Sequence, residues 1–186
     1  MNKRVITPEM LREFLEYDPD TGLLRWKARD AKWFNQTRAR SKEHASANWN
    51  SKFSGKPAIR CLNSYGYLHG NILNTRSLAH RVAWAIYHGA WPHVEVDHIN
   101  TVRSDNRIHN LRLATRSENG MNTNRRLDNT SGYKGVSWDK SRGLWQVGIR
   151  VDGLRKHLGR YPCKEQAREV YMSAALEMFG EFRNYG

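Results

Sequence analysis

Cysteine and long apolar runs are both scarce in this sequence. The two cysteines, Cys61 and Cys163, are far apart and form no Cys-x-x-Cys pair, so we expect reduced thiols. They also exclude a structural zinc site made of cysteines, because such a site needs four ligands. No apolar run reaches the roughly 18 residues of a membrane helix, and none follows the charged start MNKRVITPEM. We therefore expect no membrane contact, no secretory signal and, by default, a cytoplasmic protein.

Acidic residues are also outnumbered. The 186 residues include 31 Lys and Arg but only 18 Asp and Glu, which gives a formal net charge of +13. Such an excess favours a polyanionic partner, and nucleic acid is the commonest one. The basic residues are spread along the chain and not gathered in a tail, which indicates a folded basic surface.

The patterning divides the chain into three segments. Residues 1–77 are expected to form an N-terminal α+β region, a candidate extension for contacting DNA, in which 28–56 is polar, poorly periodic and interpreted as a loop. Residues 78–122 form the second segment, with a hairpin from about residue 65. A polar linker, 123–131, leads to a third segment, 132–186.

Helix and turn signals are clear in the first two segments. Thr7 and Pro8 predict a helix start, and the hairpin from Tyr65 is expected to turn around Gly70. In the second segment, a helix is predicted from Leu78 to Gly89 and an alternating strand over Val94–Ile99. Thr115 is a predicted cap of a following helix, with Glu118 three residues on as its capping-box partner.

The third segment has the pattern of a small complete domain. Alternating residues predict strands at 133–138, 145–151 and 154–160, with turns that contain glycine. Apolar residues at helical spacing predict a helix over 164–179. The fold class expected for the whole chain is therefore α+β, with a three-stranded antiparallel sheet packed on one helix at the C-terminal end.

The most informative spacing in the chain joins Asp97, His98, Asn110 and Asn119. A strand end carries the Asp-His pair, a loop carries Asn110, and a helix carries Asn119. Carboxylate and amide oxygens suit magnesium or manganese, and a neutral imidazole can take a proton from an attacking water. The set therefore has the composition needed to hydrolyse a phosphodiester with one metal ion. Asn110 is placed to orient the His98 ring through its amide or its backbone.

These residues resemble a known family. The runs His80-Arg81, Val96-Asp97-His98-Ile99-Asn100, Asp105-Asn106-Arg107, Asn110-Leu111 and Ser117-Glu118-Asn119 resemble the HNH homing endonucleases of bacteriophages. The resemblance implies a small ββα-metal core in which Asp97 and Asn119 bind the metal, His98 is the general base and Asn110 holds the site together. It also implies a site of action in the cytoplasm of a bacterial host. Family members often have Gly where this chain has Thr101.

Several residues near this set have more than one interpretation. His80 either supports a phosphate or packs under its helix, and Asn106 either caps a turn, binds Asp105, or touches the metal or DNA. Four arginines around the site are either solvated or contact phosphates, and phosphate contact is the better expectation beside a nuclease centre. They are Arg103, Arg107, Arg112 and Arg116.

The third segment resembles the ethylene-response-factor (APETALA-type) DNA-binding domain of plants. The resemblance is carried by Tyr133-Lys134-Gly135-Val136, Trp145, Ile149-Arg150, Leu158-Gly159 and the helix alanines Ala167, Ala174 and Ala175. It implies a sheet that lies in the major groove with a helix behind it. The DNA contacts that we expect here are Lys134, Trp138, Lys140, Arg142, Trp145, Arg150 and Arg155. Trp145 has a core role as its alternative.

The sequence therefore predicts a DNA endonuclease. It is expected to use one divalent ion, magnesium or else manganese, with no structural zinc, and to cut double-stranded DNA at or near a recognised site, leaving 5′-phosphate and 3′-hydroxyl ends by resemblance. The protein is expected to act as a monomer or a homodimer. The main alternative is a non-catalytic, sequence-specific DNA-binding regulator, and a weaker one is an RNA-directed protein. The deep, narrow major groove of duplex RNA disfavours the latter.

Overall fold

The computed structural model describes residues 5–185, in two compact units that span residues 1–113 and 114–186. Residues 1–4 and residue 186, at the ends of the outermost expected segments, lie outside the described part. Both units combine helices with small antiparallel sheets, which confirms the expected α+β class. The division after Leu113 differs from the boundaries at 77/78 and 123–131 expected from the sequence. No helix within the described residues is long and apolar enough to cross a membrane.

The first unit alternates short strands with helices. The elements in chain order are α1 (Pro8–Phe14), β1 (Leu15–Tyr17), β2 (Leu24–Trp26), α2 (Lys42–Phe53), β3 (Cys61–Leu62), β4 (Leu68–Ile72), β5 (Thr75–Leu78), α3 (Ala79–His88), β6 (Glu95–His98) and β7 (Leu111–Ala114). These strands pair with near neighbours in the sequence, β1 with β2, β3 and β5 with β4, and β6 with β7.

One apolar core joins the expected first and second segments. Leu11 and Phe14 of α1 are fully buried in the same cluster as Val82 and Ala85 of α3. Neither helix could hide its apolar face alone, because each is only two or three turns long. Residues on both sides of position 77 therefore belong to one folding unit.

The ends of these two helices follow the sequence signals. The Thr7 hydroxyl accepts a hydrogen bond from the Met10 amide at 3.3 Å, with Pro8 in the first turn. Helix α3 ends at Gly89, whose φ of +74° lies in the left-handed region that glycine favours. The cap at Thr7 and the glycine at position 89 therefore confirm the predicted start of α1 and the predicted end of α3.

The loop expected over 28–56 is wrong in its second half, which contains helix α2. Ser41 caps the helix by accepting a hydrogen bond from the His44 amide at 3.2 Å. The helix is polar almost all round, and its attachments are hydrogen bonds from Ser46 and Asn50 and ring contacts of Trp49. An apolar stripe, the signal on which helix prediction depends, is therefore missing from its sequence.

The expected turn at Gly70 is also wrong. Gly70 lies inside β4, and the chain reverses at Leu73 and Asn74, with φ of +47° and +62°. The glycine is required for another reason: a Cβ at position 70 would lie 2.9 Å from the Cα of Ile59. Close backbone approach, and not a turn, explains this glycine.

The second unit packs a three-stranded sheet on one helix, as predicted. The elements are α4 (Arg116–Met121), β8 (Val136–Asp139), β9 (Leu144–Val151), β10 (Leu154–Tyr161) and α5 (Lys164–Phe179). The strand order is β10-β9-β8, and the cluster between the sheet and α5 includes Val147, Ile149, Ala167 and Tyr171. Val147 and Ile149 alternate with outward residues, in agreement with the predicted faces.

The expected linker 123–131 is tied to the second unit. The Lys134 ammonium donates to the carbonyl oxygens of Met121, Thr123 and Asn184 at 2.6–3.1 Å. The Asn184 amide in turn donates to the Asn122 carbonyl oxygen at 3.1 Å. Thr123 begins the expected linker, and the Ser131 hydroxyl at its other end donates to the Val136 carbonyl at 2.8 Å, so both ends of this stretch are bound to the second unit.

Candidate active site

The Asp97-His98 pair lies at the end of β6, in a two-stranded sheet with β7. Both side chains are buried, with 5% and 3% of their surface exposed. The Ile99 amide donates to the Asn110 carbonyl at 2.9 Å, which closes the strand pair just beyond His98. The apolar side of this sheet packs on α3 through Val96 and Leu111. Asp97 and His98 therefore lie on a strand that is packed against α3.

The His98 ring is fixed by Asn106, the residue that sequence reasoning left undecided. The Nε2–H of His98 donates to the Oδ1 of Asn106 at 3.1 Å, and Asn106 is 2% exposed. In the neutral ring, Nδ1 is then the nitrogen without a proton. Burial lowers the pKa of His98, against opposing contributions from Asn106 and Asp97. A neutral imidazole with a defined tautomer is the form required of a general base.

Two further rings surround His98. The centroids of His80 and His98 are 5.1 Å apart in an edge-to-face arrangement, and Tyr67 lies 5.1 Å from His80 and 5.8 Å from His98. Burial lowers the pKa of His80 to about 3, so this neighbour is uncharged near neutrality. Its Nδ1 has no hydrogen-bond partner among the described residues. His80 thus packs under its helix, one of the two interpretations that the sequence allowed.

Asn110 supports the loop that follows His98. Its Oδ1 accepts from the Asn100 amide at 3.0 Å, and its Nδ2 donates to the Asp105 carbonyl at 2.8 Å. These bonds connect both ends of the loop to the start of β7. The contacts suit the role of holding the site together, while the bond that orients the His98 ring comes from Asn106.

The loop itself has a strained turn. Thr101 has a φ of +63°, and its amide donates to the His98 carbonyl at 2.8 Å. This left-handed conformation costs a β-branched residue about 1–2 kcal/mol. Asp105 accepts from the Arg107 guanidinium at 2.6 and 2.8 Å and from the side-chain Nδ2 of Asn100 at 2.7 Å. The bond from Arg107 makes the largest contribution to lowering the pKa of the Asp105 carboxyl. The loop is therefore held in its strained form by its own polar contacts.

The N-terminal segment also supports this loop, which the sequence did not indicate. The Tyr17 hydroxyl donates to the Asn106 carbonyl at 2.7 Å. The turn at Gly22 packs so closely that a Cβ there would lie 2.6 Å from the Arg107 nitrogen. The strong turn signal at Asp18–Gly22 was the available clue, although it does not reveal what the turn contacts.

Asp97 pairs with Arg112 of the neighbouring strand. The Nε and a terminal nitrogen of Arg112 both lie 2.9 Å from the Oδ2 of Asp97, and the Arg112 side chain is only 13% exposed. The Arg112 guanidinium is thus turned to the Asp97 carboxylate, and the DNA contact expected of Arg112 stays a prediction. A buried carboxylate needs such a counter-charge, and a divalent cation is an alternative one.

The two metal ligands expected from the sequence, Asp97 and Asn119, belong to different units. Asp97 supplies a buried carboxylate, and within the described residues no group of three His, Cys, Asp or Glu side chains forms a metal cluster. Asn119, the other expected ligand, supplies an amide oxygen and lies on α4 in the second unit. The capping box of α4, in which Thr115 accepts from the Glu118 amide at 3.3 Å and Glu118 from the Thr115 amide at 2.7 Å, confirms the predicted helix start. Oxygen donors of this kind are preferred by magnesium and manganese.

The other three arginines of the expected phosphate set differ in their surroundings. Arg103 is exposed, donates to the Tyr65 carbonyl at 2.8 Å and lies over the Tyr67 ring at 5.1 Å. Arg107 is paired with Asp105, with 43% of its side chain exposed. Arg116 is exposed on α4. Exposure leaves Arg103 and Arg116 as the two best placed for solvent-side phosphates.

The outer face of the C-terminal sheet contains two of the expected DNA contacts. Arg150 of β9 and Arg155 of β10 are exposed and directly paired across the strands. Gly148 makes room for Arg155, since a Cβ there would lie 2.9 Å from the Arg155 Nε. Two like charges directly opposite each other are unfavourable in an isolated sheet. A bound polyanion would remove this penalty.

Three other expected contacts lie elsewhere. Trp145 faces the helix side of the sheet and packs against the core cluster, and Trp138, its cross-strand partner, shares that face with 44% exposure. Their rings meet edge to face at 4.9 Å. Both therefore lie opposite the basic face, and Trp145 has the core role that was its alternative. The Lys134 ammonium donates its three hydrogen bonds to backbone carbonyl oxygens. Burial lowers the pKa of Lys134 to about 8.

The last two expected contacts lie at the turn between β8 and β9. Lys140 and Arg142 are both exposed there. Arg142 lies 3.5 Å from the Asp139 carboxylate, which also pairs with Arg160 at 3.0 Å. A weak exposed pair of this kind leaves Arg142 available to a stronger anion.

The residues of β6 and β7 fall within a match to a known family. The family model described as HNH endonuclease matches residues 77–121. Protein 3.8 of Escherichia phage T7 is 30% identical over 107 residues, which cover 57% of this chain and 88% of that protein. An uncharacterized HNH endonuclease of Acanthamoeba polyphaga mimivirus is 34% identical over 89 residues, or 48% of this chain and 45% of the viral protein. No solved structure matches the chain. The chain carries an HNH endonuclease domain and belongs to the same family as Protein 3.8.

Proposed function

We propose that this protein is a metal-dependent DNA endonuclease of the homing type, which hydrolyses phosphodiester bonds at or near a recognised duplex site. The observation that carries the proposal is the His98 ring, buried, neutral near pH 7 and fixed by Asn106 beside a buried Asp97. HNH nucleases generally use a divalent metal ion. The host cytoplasm, in which phage DNA is found, is the proposed place of action.

Each residue of the site has a proposed task. The Nδ1 of His98 takes a proton from the attacking water, while Asn106 keeps that nitrogen unprotonated by holding the proton on Nε2. Asn110 holds the loop in place during the reaction. Asp97 would hold the metal ion, and Asn119 is a second ligand proposed from the sequence resemblance alone. A magnesium or manganese ion held there would supply charge neutralisation at the scissile phosphate.

The second unit is proposed to bind the DNA duplex. The support for this is the basic face with Arg150 and Arg155, whose mutual repulsion a phosphate would relieve. Lys140 and Arg142 at the β8–β9 turn are proposed to extend the contact. The likeness to an APETALA-type domain favours the major groove, where arginine can pair with guanine.

The proposal is tested by cleavage of supercoiled plasmid with magnesium, with manganese and with chelator. We expect nicked or linear product only with metal, strong loss of cleavage for His98→Ala, and wild-type cleavage for His93→Ala, whose histidine is exposed in the same unit. The ratio of nicked to linear product also tests whether the protein acts as a monomer or a dimer. Binding without cleavage under every metal condition would instead favour the non-catalytic regulator.

Binding by the second unit needs its own test. The double variant Arg150→Ala/Arg155→Ala should weaken duplex binding and reduce the salt dependence of log K by up to about two units of slope, because each arginine neutralises at most one phosphate. Glu169→Ala, an exposed change on α5, is the control. An unchanged salt slope would remove the basic face from the proposed interface.

A further inference from the structure

Aromatic rings that take no part in the active site line a pocket in the first unit. The pocket has a volume of about 470 Å³, within the range of small-molecule sites. Its rings come from β2, from the chain after it and from α2: Trp26, Trp33, Phe34, Trp49 and Phe53. The Phe53 side chain is 42% exposed, so part of this apolar lining faces solvent.

An arginine is fixed against these rings. The Arg29 guanidinium carbon lies 4.1 Å from the Trp49 ring centroid and 4.8 Å from that of Trp26. Its backbone is anchored to α2, because the Arg29 carbonyl accepts from the Ser46 hydroxyl at 2.6 Å and its amide donates to the Asn50 oxygen at 2.8 Å. The planar cation is therefore held stacked and needs no ligand to order it.

The charge of Arg29 is not neutralised by a carboxylate. Within residues 5–185, Arg29 forms no ion pair, and its buried Nε–H has no hydrogen-bond partner. A buried donor without an acceptor is rare and calls for an explanation. A ligand with phosphate or carbonyl oxygens would meet this unbalanced cation favourably, whereas a cationic ligand would be repelled.

Amide side chains complete the lining. Asn35 and Asn71 are exposed residues that face the pocket, together with Asn74 in the turn between β4 and β5. That turn is strained, because Leu73, also in the lining, has a φ of +47°. Packing of Leu73 against the core holds it there. The amides thus lie on the rim of the pocket and can pair with both donors and acceptors.

We propose that this pocket binds an unstacked base of a DNA strand, one that is single-stranded or turned out of the duplex. The rings offer stacking surfaces, Arg29 offers a cation to the nearby phosphate or a base carbonyl, and the asparagine amides face the base edge. The proposal rests on the proposed function for the identity of the polymer. It gives a role to an aromatic pocket whose lining does not include His98.

The test measures binding of the full chain, in chelator, to a single-stranded thymidine oligonucleotide of about 12 nucleotides that contains one 2-aminopurine. The variants are Phe53→Ala and Asn71→Ala, and the matched control is Tyr87→Ala, an aromatic residue 52% exposed on α3 and outside the pocket. Loss of one stacked ring should weaken binding about 5- to 100-fold, and loss of one amide should weaken it about 2- to 10-fold.

Two further readouts separate base stacking from a lost phosphate contact. The wild-type protein and Tyr87→Ala should quench the 2-aminopurine fluorescence on binding, and Phe53→Ala should quench it less. The slope of log K against log salt should stay the same in Phe53→Ala, because no phosphate contact is removed. Thermal melting checks the fold, and Asn71→Ala, an exposed change, decides the test if Phe53→Ala melts early.

The outcomes keep the two proposals apart. The base pocket would be overturned if Asn71→Ala and folded Phe53→Ala kept the affinity and the quenching of the wild type. It would also be overturned if Tyr87→Ala lost as much binding as the pocket variants. If the same protein cleaves plasmid, the proposed function stands without the pocket. A wild-type protein that neither binds nor cleaves DNA would overturn both. Binding of the aromatic amide N-acetyltryptophanamide in place of the oligonucleotide would identify a protein side chain as the occupant and also overturn the pocket's DNA role.

Discussion

Replacement of His80 by phenylalanine should remove a specific loss of stability that the protein suffers in mild acid. His80 is 5% exposed and its ring contacts those of His98 and Tyr67, so a flat apolar ring can take its place. Burial lowers the pKa of His80 from 6.5 to about 3. In the unfolded chain the same ring is hydrated and binds its proton near the ordinary value.

The direction follows from proton linkage. Between pH 6.5 and about pH 3 the unfolded state binds more protons at His80 than the folded state does. Stability therefore falls as the pH decreases through this window and is unaffected by this group above it. With these two pKa values, His80 alone removes about 2 kcal/mol of unfolding free energy between about pH 7.5 and about pH 5.

Urea unfolding at the two pH values measures this effect. Tryptophan fluorescence follows the relevant unit, because five of the seven tryptophans lie within residues 1–113. The loss between the two pH values should be about 2 kcal/mol smaller in His80→Phe than in the wild type. His93→Phe, a change at an exposed histidine, should behave as the wild type. Equal losses in His80→Phe and the wild type would refute the argument from burial, whatever the stability of the variant at pH 7.5.

Three further changes probe the loop around His98, the proposed general base. Asn106→Asp should place a carboxylate against the His98 Nε2, raise the pKa of His98 and move the acidic limb of the cleavage pH profile up by about 1 unit or more; an unmoved limb would count against His98 as the base. Gly22→Ala should lower both the melting temperature and cleavage, because its Cβ would lie 2.6 Å from the Arg107 nitrogen, and full activity would show that this packing is unimportant. Thr101→Gly should relieve about 1 kcal/mol of left-handed strain and raise the melting temperature; a lower one would mean that the threonine side chain compensates for its strain.

The parts of the fold that could be predicted are those with a strong period or a strong end signal. The C-terminal sheet and helix α5 have apolar residues at spacings of two and of three to four, and the observed helix Lys164–Phe179 has the predicted bounds. The capping box at Thr115 and the strand that ends at His98 were found for the same reason. In these elements, local sequence and tertiary burial favour the same structure.

Helix α2 could not be predicted in that way, because its stability does not come from an apolar stripe. It is held by polar contacts from Ser46 and Asn50 to Arg29, and by the stacking of Trp49 on that arginine. The partners lie 17 and 21 positions apart in sequence. A polar sequence with scattered aromatics indicates a loop unless those distant partners are known.

At the candidate site, too, the sequence alone did not predict which side chains contact each other. The spacing identified Asp97, His98 and Asn110 as members, but it assigned the orientation of the His98 ring to Asn110 and left Asn106 open. Which asparagine reaches the ring depends on how the loop folds back, and that path is set by the left-handed turn at Thr101. Residue identities therefore predict a candidate set, whereas the contacts among its members depend on the loop conformation.

The extent of the first folding unit was also not predicted from the sequence. It is larger than the stretch that matches the HNH family. The match to the HNH family begins at residue 77, yet the Asn106 carbonyl is held by the Tyr17 hydroxyl, 89 positions earlier in the chain. The core beneath α3 is completed by Leu11 and Phe14. A short catalytic motif with few buried residues cannot fix a histidine ring by itself. The N-terminal segment is consequently part of the unit that supports the candidate site, and the aromatic pocket is formed by residues of the same unit.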